Sequence, residues 1–177
     1  NYNSWILNSF NEHISRNYLS DLKKIDLDEN IISIVKNNFG INIIIDENYE
    51  IIKNYDNFLW IGRGHPYRWI VLNQIELPEN YNYLDTIIDL LENNLTNVII
   101  NDKYLDIYQK NNNMIIRGLY EQLDSDTGGP FFTYIFEKYN NNKVIFVSGF
   151  VNNPGKKKAY LLLQLETIIK NIKVVYE

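Results

Sequence analysis

Ile6, Phe10, Ile14 and Tyr18 recur at four-residue steps, which lines them along one side of a helix. A second helix is expected from Asp28 as N-cap, with Ile31, Ile32 and Val35 on one face and Gly40 placed to end it. The pattern then changes period. "INIII" (41–45), "FLWIG" (58–62) and "RWIVLNQIEL" (68–77) are β-branched or aromatic runs between turn residues, and they predict strands. Leu84, Ile87, Ile88, Leu91, Leu95, Val98 and Ile99 restore a helical stripe, headed by Asn82 and Asp85 at capping-box spacing.

Beyond it, "NMIIRGLYEQL" (113–123) reads as a strand, and "PFFTYIFEKY" with "KVIFVSGFV" reads as a hairpin turning at Asn140–Asn142. Both faces of that hairpin carry large apolar groups, so its sheet is expected to be covered on both sides or paired with a partner. Asn153 and Pro154 suit the N-cap and first turn of a closing helix with the stripe Leu161, Leu165, Ile168 and Ile169. "IKVVYE" is expected as a last short strand. The order is α-α-β-β-β-α-β-β-β-α-β. It predicts an α+β fold, a mostly antiparallel sheet with helices packed on it. No repeat or linker interrupts the chain, so residues 1–177 are expected to form one domain.

Composition narrows the classes. Hydrophobic residues at 45% and aromatics at 14% exclude a disordered tail. A net charge of −5 argues against nucleic-acid binding, which needs a broad basic face. The absence of cysteine removes disulfides, thiolate nucleophiles and cysteine-held metals. Alanine occurs once, at Ala159, while Asn, Ile, Lys and Tyr abound, which we read as the imprint of a low-GC genome. The runs Asn111–Asn113 and Asn140–Asn142 then read as turns and tolerated surface. The chain begins at Asn1 without a signal-peptide pattern, and a processed chain with targeting information upstream is expected.

Three stretches could carry chemistry. "GRGHPYRW" (62–69) gathers Arg63, His65, Tyr67 and Arg68 in one inter-strand loop. Guanidinium forks match carboxylates and phosphates, although the spacing is not that of a phosphate loop. "NPGKKKAY" (153–160) crowds Lys156, Lys157 and Lys158 at the start of the closing helix, where the macrodipole already favours anions. An anionic surface or partner would relieve that conflict, and a solvated basic run is the plain alternative. "DSDTGGPFF" (124–132) begins like a calcium loop, but Gly128 stands at the third acidic position and no bidentate Glu follows. It reads instead as a hinge of Gly128, Gly129 and Pro130. The reversal, with a positive φ, is expected at Gly128, and Pro130 at the first position of the aromatic strand. His13 and His65 lie far apart and in no ligand pattern, so no metal or cofactor is expected. No G-x-S-x-G elbow occurs, and no catalytic residue is assigned.

"IIRGLYEQ", "TGGPFFTYIF" and "VIFVSGFVNNPGKKKAYLLLQLETII" together resemble the end of an uncharacterised lipoprotein family of Bacteroidota, a domain of unknown function. The resemblance rests on Arg117 to Tyr120, Gly128 to Phe131, Gly149 to Val151, Pro154, Lys156 to Lys158 and Gln164 to Glu166. It extends loosely to "NFLWIGR", and Tyr120 and Thr127 depart from the pattern, which has Trp and Met there. The resemblance implies a cell-envelope setting, periplasm or outer membrane of a Gram-negative bacterium, with a lipid anchor upstream. It implies no catalytic residues. The favoured function is a non-catalytic domain that docks on an envelope protein partner, within an outer-membrane assembly, or on an anionic membrane surface. The alternative is a ligand- or substrate-binding domain, hydrolytic in one version, using Arg63, His65 and Arg117.

Overall fold

The aromatic hairpin holds the middle of the sheet. In the computed structural model, which describes residues 2–76, 81–110, 113–137 and 143–175, the helices are α1 (Tyr2–Leu22), α2 (Glu29–Phe39), α3 (Tyr83–Asn94) and α4 (Ala159–Lys170). The strands are β1 (Ile41–Asn42), β2 (Glu50–Tyr55), β3 (Phe58–Arg63), β4 (Tyr67–Glu76), β5 (Val98–Lys110), β6 (Asn113–Gln122), β7 (Thr127–Glu137), β8 (Lys143–Asn152) and β9 (Lys173–Val174). The large antiparallel sheet runs β2-β3-β4-β8-β7-β6-β5, and β1 pairs with β9 in a separate two-stranded ribbon. This is the expected α+β architecture.

Alternation along the central strands feeds two cores. On one face Phe132 and Tyr134 of β7 and Ile145 and Val147 of β8 pack with Val35, Phe39, Leu165, Ile168 and Ile169 from α2 and α4. On the other, Phe131 and Ile135 with Phe146 and Phe150 pack under Ile87 and Leu91 of α3. Phe131 and Phe150 are cross-strand partners, with rings stacked at 5.3 Å. Phe132, Phe146 and Phe150 are fully buried. Each such side chain contributes roughly 1.5–3 kcal/mol, which explains why this hairpin cannot stand at an edge.

The expected caps form. Asp28 accepts from the Ile31 amide at 2.8 Å, and Gly40 ends α2 with φ 61°. Asn82 accepts from the Leu84 amide at 3.0 Å while donating to Asp85 at 2.9 Å.

Several expectations are corrected. Val98 and Ile99 do not continue α3 but open β5, because α3 ends at Asn94 and Asn97 takes φ 57°. Strand β2 lies where no strand was expected, and "INIII" pairs only through Ile41 and Asn42. The closing helix starts at Ala159 rather than at Asn153–Pro154, because Gly155 turns the chain with φ 67°. Residues Asn111, Asn112 and Asn140–Asn142 lie outside the described residues, while Asn113 opens β6.

Candidate functional site

Arg63 and Arg68 lie in register on β3 and β4, facing the same core as Ile61 and Ile70. Two like charges directly opposite one another on a sheet repel. Of the two, only Arg63 has a carboxylate among the described residues: Asp46, fully buried, takes its Nη1 at 3.1 Å and also accepts from Asn48 at 2.7 Å. The guanidinium also stands over the Tyr49 ring at 5.6 Å. Arg68 is 6% exposed, yet its Nη1 donates only to the neutral Gln164 of α4, at 2.6 Å. Among the described residues its Nε finds no acceptor, and the buried hydroxyls of Tyr18 and Tyr49 also lack partners.

Electrostatics tie these groups together. Burial pulls the Arg68 guanidinium below its ordinary value, Arg63 pushes the same way, and Tyr49, Tyr18 and Asp46 oppose them. Burial pushes both Tyr18 and Tyr49 up, and Arg68 is the strongest charge acting on each. At neutral pH both phenols are therefore protonated donors. His65 and Tyr67 stay outside this cluster, both exposed at the β3–β4 turn with their rings 4.3 Å apart, and the His65–Pro66 peptide is cis.

Arg117 shares the face but not the cluster. It stands on β6, three strands from Arg68 and so about 14 Å away laterally. Its Nη2 donates to Glu166 at 2.6 Å and its Nε to the Tyr108 hydroxyl at 2.5 Å. Glu166 also accepts from Tyr134 at 3.0 Å and Lys170 at 2.9 Å. This network fastens α4 to the sheet, so the expected grouping of Arg63, His65 and Arg117 does not form.

Lys156 and Lys157 are exposed, and Lys158 is the half-buried N-cap of α4, without a side-chain cap bond. The three therefore precede the helix rather than occupy its first turn. The glycine hinge is corrected too. The left-handed residue of the turn is Asp126, with φ 48°, while Gly128, Gly129 and Pro130 already lie within β7. A Cβ at Gly128 would meet the Tyr120 carbonyl oxygen at 2.2 Å, and one at Gly129 the Val151 oxygen at 2.0 Å. Close backbone approach, not reversal, demands these glycines. Pro130 sits opposite Leu119, just beyond the β7–β8 ladder, which begins at Phe131. Asp124 accepts from the Asn97 side chain. Among the described residues no three His, Asp or Glu side chains are grouped to hold a metal ion.

Tyr18, Asp46, Tyr49, Gln164 and Glu166 acquire their roles only in three dimensions. One signal was available: Gln164 and Glu166 interrupt the apolar run "LLLQLETII", and polar groups in a buried helix need partners.

The family model described as Domain of unknown function (DUF4837) matches residues 93–171, from the end of α3 through α4. A search of curated proteins by sequence gave no match. Among solved structures, the Saccharomyces cerevisiae Ran-binding protein Mog1p is similar, with TM-score 0.50 and 12% identity over 77% of this chain and 90% of its own. Cyanobacterial PsbP (CyanoP) from Synechocystis sp. PCC 6803 gives TM-score 0.51 and 7% identity, over 76% of this chain and 86% of its own. At these identities the likeness is one of fold.

Proposed function

We propose that this chain is a non-catalytic docking domain that binds a protein partner through the first half of α1. One observation carries the reading. Every side chain from Ser4 to His13 except Ser9 is exposed, and Ile6, Leu7 and Phe10 are among them. Leu7 is 62% and Phe10 63% exposed, while the second half of the same helix buries Leu22 and packs Tyr18 and Leu19 on the core. Apolar side chains clustered and exposed on one helix half fit a contact surface. The Ran-binding protein with a similar fold is an example of such a scaffold serving a protein partner, and fold alone leaves function open.

The finer setting rests on the C-terminal motifs, whose residues fall largely within the 93–171 match. On that basis the protein is an envelope lipoprotein of a Gram-negative bacterium of the Bacteroidota, residues 1–177 forming one domain, the C-terminal portion of a longer chain anchored by lipid. No described helix is long and apolar enough to cross a membrane. Lys156–Lys158 add a secondary contact with an anionic surface or partner. The test is affinity capture from native membranes with quantitative mass spectrometry, comparing the wild type with a Leu7→Ser, Phe10→Ser variant. A partner enriched by the wild type and lost by a folded variant supports the reading. Identical captured sets contradict it.

A further inference from the structure

Three buried polar groups on three separate elements lack a partner among the described residues: Arg68 Nε on β4, the Tyr18 hydroxyl on α1 and the Tyr49 hydroxyl in the loop before β2, with both phenols packed on the same core and within reach of the Arg68 charge. We propose that they form a binding site for one carboxylate. The charge count selects the ligand. Two guanidiniums, Arg63 and Arg68, stand against the single carboxylate of Asp46, which leaves one positive charge uncompensated at a buried position. Asp46 carries a single charge, and its hydrogen bonds go to Arg63 and Asn48 rather than to Arg68.

A carboxylate supplies one negative charge and accepts only, so it answers donors that no described residue satisfies. A phosphate dianion would overcompensate the same site. Gln164 fixes Nη1 on one side of the guanidinium and so leaves the Nε edge for the ligand. Arg68 is the second residue of β4, beside the exposed residues Gly64, His65 and Tyr67. The site therefore lies at the rim of the sheet rather than in its middle. A buried, unpaired guanidinium is costly to keep, and a ligand that pairs it recovers that cost on binding.

The carboxylate belongs either to a free small molecule or to the end of a polypeptide. Acetate and N-acetylglycine represent these two sources, with N-acetylglycinamide, phosphate and chloride as controls at equal ionic strength. Thermal midpoint and the ring NMR signals of Tyr18 and Tyr49 are followed during titration. A saturable rise in midpoint, with both ring signals moving, is expected from a carboxylate and not from the amide. Equal responses to acetate and N-acetylglycine indicate a free carboxylate; much tighter N-acetylglycine binding indicates a chain end. Arg68→Gln weakens binding about tenfold or more. Should that variant fail to fold, Tyr18→Phe on α1 provides the same test with a smaller loss. The proposal is overturned if no carboxylate binds saturably, if phosphate or chloride acts equally well, or if a folded variant binds as the wild type does.

Discussion

A methyl group at Gly129 would stand 2.0 Å from a backbone oxygen, and backbone cannot swing aside as a side chain does. Gly128→Ala and Gly129→Ala should each cost about 1–3 kcal/mol, as overpacking does. Gly64→Ala, with nothing within 4 Å of the added carbon, should stay within about 0.5 kcal/mol of the wild type. Urea unfolding of the three variants checks this, and equal stabilities would remove the close-approach explanation. Glu166 offers a second residue-level test. Burial alone would raise its pKa, but Arg117 and Lys170 outweigh burial and hold the carboxyl below its ordinary value of 4.5. A lowered folded-state pKa contributes stability that is present above the unfolded value and lost as pH falls through the folded one. Glu166→Gln should therefore cost about 1–3 kcal/mol at pH 7, discounted for the partly exposed Arg117, and the gap should narrow as pH falls below 4.5 toward the lowered folded-state value. A gap constant with pH would mean that packing, not charge, holds α4 down.

At the scale of elements, local chemistry explains what the sequence makes legible. Asp28 with Gly40, and Asn82 with Asp85, are caps whose partners lie within four residues, so both helix starts could be read directly. Strand β5 could not. Val98 and Ile99 fall in phase with the stripe of α3, and only the turn at Asn97 separates them. Strand β2 is an edge strand with Ile51 and Ile52 both exposed, so it lacks the alternation that marks a half-buried strand. The Arg63–Arg68 pair was visible as a cationic loop, but Tyr18, Tyr49 and Gln164 reach it from distant parts of the chain. Only topology joins them. The basic run belongs to this scale too, because Lys156 and Lys157 occupy the turn that leads into α4. Replacing all three lysines by Gln should reduce binding to anionic vesicles, and added salt should weaken the wild-type interaction. Equal binding of both proteins at low salt would leave a merely solvated run.

Across the whole molecule, apolar surface is divided unevenly. The sheet is covered by α2, α4 and the second half of α1 on one face and by α3 on the other, so its central strands keep little exposed. The first half of α1 continues past that cover and carries Ile6, Leu7 and Phe10 into solvent. A helix whose halves differ in this way is held by the fold at one end and presents apolar side chains to solvent at the other. The account is tested most directly by hydrogen–deuterium exchange of the wild-type protein, alone and after capture of its partner from native membranes. Docking through α1 predicts that amides from Ser4 to His13 exchange more slowly in the complex. Unchanged exchange there, with protection elsewhere, would contradict it.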